Sequence, residues 1–204
     1  MTEDSPSTRD RLLAAAERLF LLKGAEQVSV RAINAEAGLN PGAVHYHFGS
    51  REGLIAALLE RELLPLWADR LEEIARRSRS GGAELDVAEL VAAIVEPFDR
   101  LARTEKGRML CHLLARTALP AGGVPNAVSA WFGAAPFEAM LARALPYLPV
   151  REVATRWRLA FTLLLEVYGR ALAPNPTAPS PLPDPATVAA FITAGLTAPS
   201  PHRA

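Results

Sequence analysis

The feature that most constrains the fold is a glycine placed between two short segments near the N-terminus. Ser29 is a favoured N-cap residue, and a short helix can follow it up to the glycine. Gly38 can adopt the turn conformation in which helices often end. Asn40 is again a favoured N-cap residue, and Pro41 is tolerated at the first position of a helix, so a second helix is predicted to start there. The layout within residues 28–51 is that of a helix-turn-helix.

The second predicted helix has an outer face suited to DNA. Its Val44 is expected to pack inward with Ile33 of the first helix. No Asp or Glu occurs between Ala37 and Arg51, so no carboxylate in this stretch would repel a phosphate group. In a DNA-binding helix-turn-helix, the second helix enters the major groove. The residues predicted to lie on its outer face are Asn40, Gly42, Ala43, His45, Tyr46 and His47.

The same stretch resembles the DNA-binding signature of TetR-family repressors. The match covers about twenty-two residues, IxxxAGLNPGAVHYHFGSREGL, and the identical positions are Ile33, Ala37, Gly38, His47, Phe48, Ser50 and Leu54. The chain departs from the family pattern at Asn34, where Ala is usual, and at His45, where most members have Tyr. The resemblance implies that His45 and Tyr46 contact bases and nearby phosphates. It also implies that His47 and Arg51 bind phosphates, and that Asn40 and Gly42 lie at the start of the recognition helix.

The resemblance also implies an all-α fold of about nine helices. We expect residues 1–50 to form a three-helix DNA-binding domain and residues 51–198 to form a larger helical domain for effector binding and dimerisation. Residues 199–204 are expected to be a flexible tail. The last two long helices, predicted at 150–172 and 185–196, would form a four-helix bundle across the two-fold axis of a homodimer.

The C-terminal half offers bulky apolar side chains together with a few polar ones. This mixture suits a binding site for a small hydrophobic effector between helices. The alternative, that most of these residues only pack in the core, stays open. The candidates for ligand binding are Met109, His112, Arg116, Trp131, Phe132, Phe137, Met140, Phe161, Leu165 and Tyr168.

Composition bounds the remaining possibilities. The 22 basic residues balance the 22 acidic ones, so the net charge does not by itself indicate nucleic-acid binding. The single Cys111 cannot form an intramolecular disulfide, which favours a reducing cytoplasm. The chain has no signal-peptide pattern and no apolar run of the ~20 residues that a membrane span needs. It also lacks GxSxG, HExxH, P-loop and GxGxxG motifs and a zinc-ligand pattern, so no enzyme activity, cofactor or metal is expected.

Three functions are compatible with these patterns. The first is a TetR-type, homodimeric, DNA-binding transcriptional regulator, a repressor that a small hydrophobic ligand releases from double-stranded operator DNA. The second is an all-α ligand-binding or scaffold protein, such as a lipid carrier, that does not use its helix-turn-helix. The third is an enzyme built on a helical bundle. The sequence does not indicate the operator, the effector or the regulated genes.

Overall fold

The computed structural model describes residues 6–79, 85–119, 135–169 and 182–200, and within these ranges the chain forms nine α-helices, one 3-10 helix and no strand. This confirms the all-α prediction for the described part of the chain. The helices are α1 (Thr8–Lys23), a 3-10 turn (Ala25–Gln27), α2 (Val30–Glu36), α3 (Ala43–Phe48), α4 (Arg51–Arg79), α5 (Val87–Ala102), α6 (Glu105–Ala118), α7 (Ala135–Ala144), α8 (Val150–Tyr168) and α9 (Pro185–Thr197).

Two compact units make up the chain, residues 1–62 and residues 63–204. The division falls inside α4, whereas the boundary suggested by the sequence lies after Ser50, just before that helix begins. The first unit therefore consists of α1 to α3 and the start of α4. The second unit contains the rest of α4 and all later helices.

Local signals define both ends of α1. The Ser7 hydroxyl oxygen accepts a hydrogen bond from the Asp10 N–H at 3.1 Å and so caps the first turn. Gly24 ends the helix with a φ of 76°, a conformation that few residues other than glycine adopt. The Gly24 N–H donates to the Phe20 carbonyl at 2.9 Å. Both residue types favour these capping positions, so the sequence itself marks the two ends of α1.

Apolar packing holds the first unit together. Each fully buried side chain of this kind contributes roughly 1.5–3 kcal/mol. By comparison, the exposed ion pair between Arg18 Nε and Glu36 Oε1, at 3.1 Å, belongs to a class that contributes about 0–1 kcal/mol. Burial of the apolar core therefore stabilises this unit far more than its surface charges do. The most deeply buried side chains of the core are Leu12, Leu13, Phe20, Ile33, Val44, Leu54 and Leu58.

In the second unit, α5 is the central helix and packs against α6, α7, α8 and α9. Its long buried face includes Leu90, Ile94 and Phe98, as the helical spacing of apolar residues predicted. The part of α4 in this unit is tied to α5 through Trp67, whose Nε1–H donates to the Ile94 carbonyl at 3.4 Å. Glu89 of α5 also forms ion pairs with Arg70 and Arg77 of α4.

The later helices follow the sequence-based boundaries closely. Residues 126–145 carry apolar side chains at helical spacing; of these, Ala135–Ala144 is helical and residues 126–134 lie outside the described part. The helix predicted from 150 to 172 extends to Tyr168, and its last three predicted residues also lie outside. None of the described helices is long and apolar enough to cross a membrane.

Cys111 on α6 has no exposed surface, and burial raises the pKa of its thiol to about 12. Only the thiolate reacts readily with disulfide or alkylating reagents. At pH 8 the thiolate fraction is about a thousandfold lower than for a solvent-exposed thiol with the ordinary pKa of 9.0. We expect Cys111 to resist Ellman's reagent at pH 8 in the native protein and to react rapidly in urea. Fast labelling of the native chain would contradict the burial.

Candidate nucleic-acid interface

The turn between α2 and α3 depends on one glycine and one arginine. Gly38 has a φ of 65°, so a substitution there would be strained, as expected for the residue that ends α2. The Arg11 guanidinium donates from Nη2 to the Ala37 carbonyl at 2.7 Å. This bond satisfies a carbonyl at the C-terminus of α2 and ties α1 to the turn.

The recognition helix α3 begins later than the sequence suggested. Asn40 was expected to be its N-cap, but the Asn40 Oδ1 accepts from the Gly42 N–H at 3.1 Å and closes a turn before the helix. α3 starts at Ala43, and its N-cap residue Gly42 makes no side-chain capping bond. The pattern Asn-Pro-Gly therefore forms a turn, because Asn favours a bond to the backbone two residues on.

Asn34 supplies the cap that α3 lacks. It lies in α2, ten residues before Val44, and is only 1% exposed. The Asn34 Nδ2–H donates to the Pro41 carbonyl at 2.6 Å, and the Val44 N–H donates to the Asn34 Oδ1 at 3.1 Å. The sequence alone marked Asn34 only as a departure from the family pattern. The sequence feature that could have predicted this role is a polar residue beside Ile33 on a helix face that is expected to be buried, because a buried polar side chain needs hydrogen-bond partners.

The outer face of α3 presents three aromatic or imidazole side chains. His45, Tyr46 and His47 are all exposed, and Tyr46 is 86% exposed. The Tyr46 and His47 rings make an edge-on contact with centroids 5.0 Å apart. This exposure is what a groove-reading role requires.

Two residues of the predicted interface, Ala43 and Arg51, do not lie where the sequence analysis expected them. Ala43, expected on the outer face, is buried because the first turn of α3 packs against α2. Arg51, expected on a phosphate, is half-buried, and its guanidinium donates from Nη2 to the Ala25 carbonyl at 2.5 Å and from Nε to the Val28 carbonyl at 3.4 Å. These bonds give Arg51 a bracing role between the start of α4 and the 3-10 turn. The remaining two, Asn40 and Gly42, are exposed.

The predicted ligand-binding residues differ in their exposure. Phe137, Met140, Leu165 and Tyr168 are buried in the second unit. Met109, His112 and Phe161 are half-buried, and Arg116 is exposed. The His112 Nδ1 lies 3.0 Å from the Gly169 carbonyl oxygen, which links α6 to the end of α8. Trp131 and Phe132 lie outside the described residues.

A continuous row of aromatic rings runs through the second unit. Neighbouring rings have centroids 4.8 to 6.5 Å apart, and the Phe98–Tyr168 and Phe137–Trp157 pairs are stacked. This aromatic row consists of Trp67, Phe98, Tyr168, Phe161, Trp157 and Phe137. Three of these residues were among the predicted ligand-binding residues, whereas Trp67, Phe98 and Trp157 were not.

Tyr168 is the polar member of the aromatic row. Its hydroxyl is buried and makes no hydrogen bond within the described part of the chain. Burial first, and then the negative charge of Asp99, raise the pKa of this phenol to about 12. Tyr168 therefore stays a neutral donor throughout the physiological pH range.

Metal binding finds no support in the ranges that the structure describes, since no three His, Cys, Asp or Glu side chains there are grouped to hold an ion.

Comparison with known proteins gives a family match at the N-terminus. Residues 12–58 match the model of bacterial regulatory proteins of the tetR family. The regulator UidR of Escherichia coli K12 is 36% identical over 59 residues, covering 29% of this chain and 30% of that protein. The regulator TtgR of Pseudomonas putida is 34% identical over 58 residues, 28% of each chain. The chain thus matches less than a third of the length of these relatives.

Solved structures extend the likeness to nearly the whole chain. NalD, the secondary repressor of the MexAB-OprM multidrug efflux pump in Pseudomonas aeruginosa, is 25% identical with a TM-score of 0.58, covering 95% of this chain and 96% of its own. The multidrug binding protein EbrR, complexed with imidazole, is 22% identical with a TM-score of 0.63, covering 97% and 99%. These matches show that both units share the fold of those proteins.

Proposed function

We propose that the chain is a DNA-binding transcriptional repressor of the TetR type, because residues 12–58 match the model of bacterial regulatory proteins of the tetR family and both units share the fold of solved repressors. The observation that carries this proposal is the exposed face of α3 within the matched helix-turn-helix. His45, Tyr46 and His47 project from a six-residue helix whose flanking turn contains no carboxylate. Such a helix fits the major groove, with side chains available for base edges and phosphates.

A homodimer would bring two such helices to one operator. α8 carries an exposed Leu159, 67% accessible, and α9 carries an exposed Phe191, 69% accessible, beside Gly195. Apolar side chains on two neighbouring helices support the proposal that α8 and α9 pair with the same helices of a second copy. Sedimentation of the full chain over a concentration series tests this, and a monomer at micromolar concentration would contradict it.

A small hydrophobic effector would bind in the second unit. The aromatic row supports this, because stacked rings and a Tyr168 hydroxyl with no hydrogen-bond partner among the described residues suit an apolar ligand that carries a hydrogen-bond acceptor. A suitable first probe is triclosan, which is bound in a structure of SmeT, the repressor of the Stenotrophomonas maltophilia multidrug efflux pump SmeDEF. Quenching of tryptophan fluorescence by triclosan, lost in Phe98→Ala but retained in the exposed-site control Leu22→Ala, would support the site.

The α4 helix offers a physical route between effector and DNA. It starts in the first unit and continues into the second, so a displacement of its later turns would act on the first unit through one continuous helix. The effector must bind the two states of the protein with different affinity for this to release DNA.

Operator selection from random double-stranded DNA tests the proposed function. The purified full chain is expected to enrich a pseudopalindrome whose half-sites lie about one helical turn apart. Competition with scrambled DNA then measures the specificity. If no sequence is enriched, the repressor proposal is wrong and the helical carrier becomes the better candidate.

A further inference from the structure

We propose that Asn34 is a positioning residue for DNA recognition. Its side chain, which lies on α2, caps the start of α3 and so fixes the orientation of that helix. This inference rests on the proposed DNA-binding function and goes beyond it, because Asn34 is not on the outer face and does not contact DNA. The side chain is 1% exposed and lies behind the helix whose outer face carries Tyr46.

The geometry places one amide across the start of the recognition helix. The Asn34 Nδ2–H donates to the carbonyl of Pro41, just before α3, and the Asn34 Oδ1 accepts from the N–H of Val44, in its first turn. The first N–H groups of a helix have no partner within the helix. The two bonds therefore hold the incoming turn and the first turn of α3 to a single side chain on α2.

No other side chain in the described turn performs this role. The Asn40 side chain is engaged with the Gly42 N–H, and Gly42 itself has no side chain with which to cap. A helix of six residues is too short to be stable alone, so its orientation depends on such tertiary contacts. A tilt of α3 would move Tyr46, at its exposed side, relative to the bases.

The amide is chemically specific for this position. Asn offers a donor and an acceptor on one short side chain, and both are used here. Alanine would remove the partner of the part-buried Pro41 carbonyl and of the buried Val44 N–H. Ionised aspartate would retain an acceptor for Val44 but lose the donor for Pro41. Glutamine would carry the amide one methylene further away.

The test compares specific and non-specific DNA binding by the full chain, using fluorescence anisotropy on the selected operator and on a scrambled duplex of equal length. Titrations are corrected for the folded fraction. Asn34→Ala is expected to lower operator affinity by about tenfold or more, the effect of unpairing buried polar groups. Binding to the scrambled duplex should change by no more than about twofold, because phosphate contacts supply that affinity. Gln27→Ala, which removes an exposed amide in the same unit, is the matched control and should bind like wild type.

A second readout follows the cap itself. Hydrogen exchange at the Val44 amide should be faster in Asn34→Ala, whereas Asn34→Asp should retain part of the protection and still lose operator specificity. If folded Asn34→Ala keeps the wild-type ratio of specific to non-specific affinity, the positioning role is wrong. Should Asn34→Ala fail to fold, the same ratio measured on Asn34→Asp decides in its place. Failure of wild type to prefer any sequence would instead reject the proposed function.

Discussion

Replacing Tyr46 by alanine is expected to abolish most sequence-specific DNA binding while leaving the fold intact. Tyr46 is 86% exposed on α3, so its replacement should lower the free energy of unfolding very little. A side chain that contacts a base contributes about 1–3 kcal/mol to specific affinity, and a dimer would lose this at each half-site. We therefore expect operator affinity to fall by about fivefold to 150-fold per half-site.

Anisotropy titrations on the selected operator measure this loss. Tyr46→Phe keeps the ring and removes only the hydroxyl. If the hydroxyl makes the contact through a hydrogen bond, Tyr46→Phe should lose as much operator affinity as Tyr46→Ala. Leu22→Ala is the matched control, because it removes another exposed large side chain of the same unit, on α1. Wild-type operator affinity in folded Tyr46→Ala would remove Tyr46 from the interface.

Replacing Arg156 by methionine should destabilise the second unit more than any exposed substitution. Arg156 on α8 donates from Nη1 to the carbonyls of Leu196, at 2.8 Å, and Ala198, at 2.5 Å, at the C-terminal end of α9. It also pairs through Nη2 with Glu152 Oε1 at 2.6 Å, with both side chains less than one-fifth exposed. Methionine keeps the apolar stem but removes the Arg156 guanidinium from Glu152 and from the carbonyls at the end of α9.

Hydrogen bonds to a charged donor contribute about 1.5–3 kcal/mol each, so the loss of the Arg156 bonds is expected to cost about 3 kcal/mol. For a chain of this length, a loss of that size lowers Tm by roughly 6–12 °C. Calorimetry or circular dichroism during heating measures the shift. Arg100→Met, at an exposed arginine of α5, is the control and should shift Tm very little. A melting curve of Arg156→Met that overlays wild type would show that the network adds no net stability.

The Arg156 network also bears on the C-terminal end of the chain. Residues 199–204 were expected to be a loose tail. The Arg156 Nη2–H donates to the Pro199 carbonyl at 3.2 Å, and the Ser200 hydroxyl donates to Glu152 Oε2 at 2.7 Å. Within the described residues, the start of this segment is therefore bonded to α8. Apolar spacing carries no signal for such side-chain bonds to carbonyls.

The parts of the fold that could be predicted from the sequence depend on residues that are close together in the chain. Helix ends depend on caps and on glycines with positive φ, and these are readable from neighbouring residues, as at Ser7, Gly24 and Gly38. The buried face of α5 follows from its helical spacing of apolar residues. The helix-turn-helix was recognisable because its turn, its apolar positions and its outer face all lie within one short stretch.

The contacts that only the tertiary structure decided join residues far apart in sequence. Arg51 follows the recognition helix and was expected on phosphate, but two carbonyls more than twenty residues earlier hold its guanidinium. Asn34 caps a helix that begins after the next turn, and Trp67 joins an aromatic row built from four helices. The sequence by itself determined the helices and the motif, because propensity and capping act over a few residues. Packing decided which polar side chains of that motif are held inside and which stay exposed, because a buried donor bonds whichever acceptor the fold brings within reach.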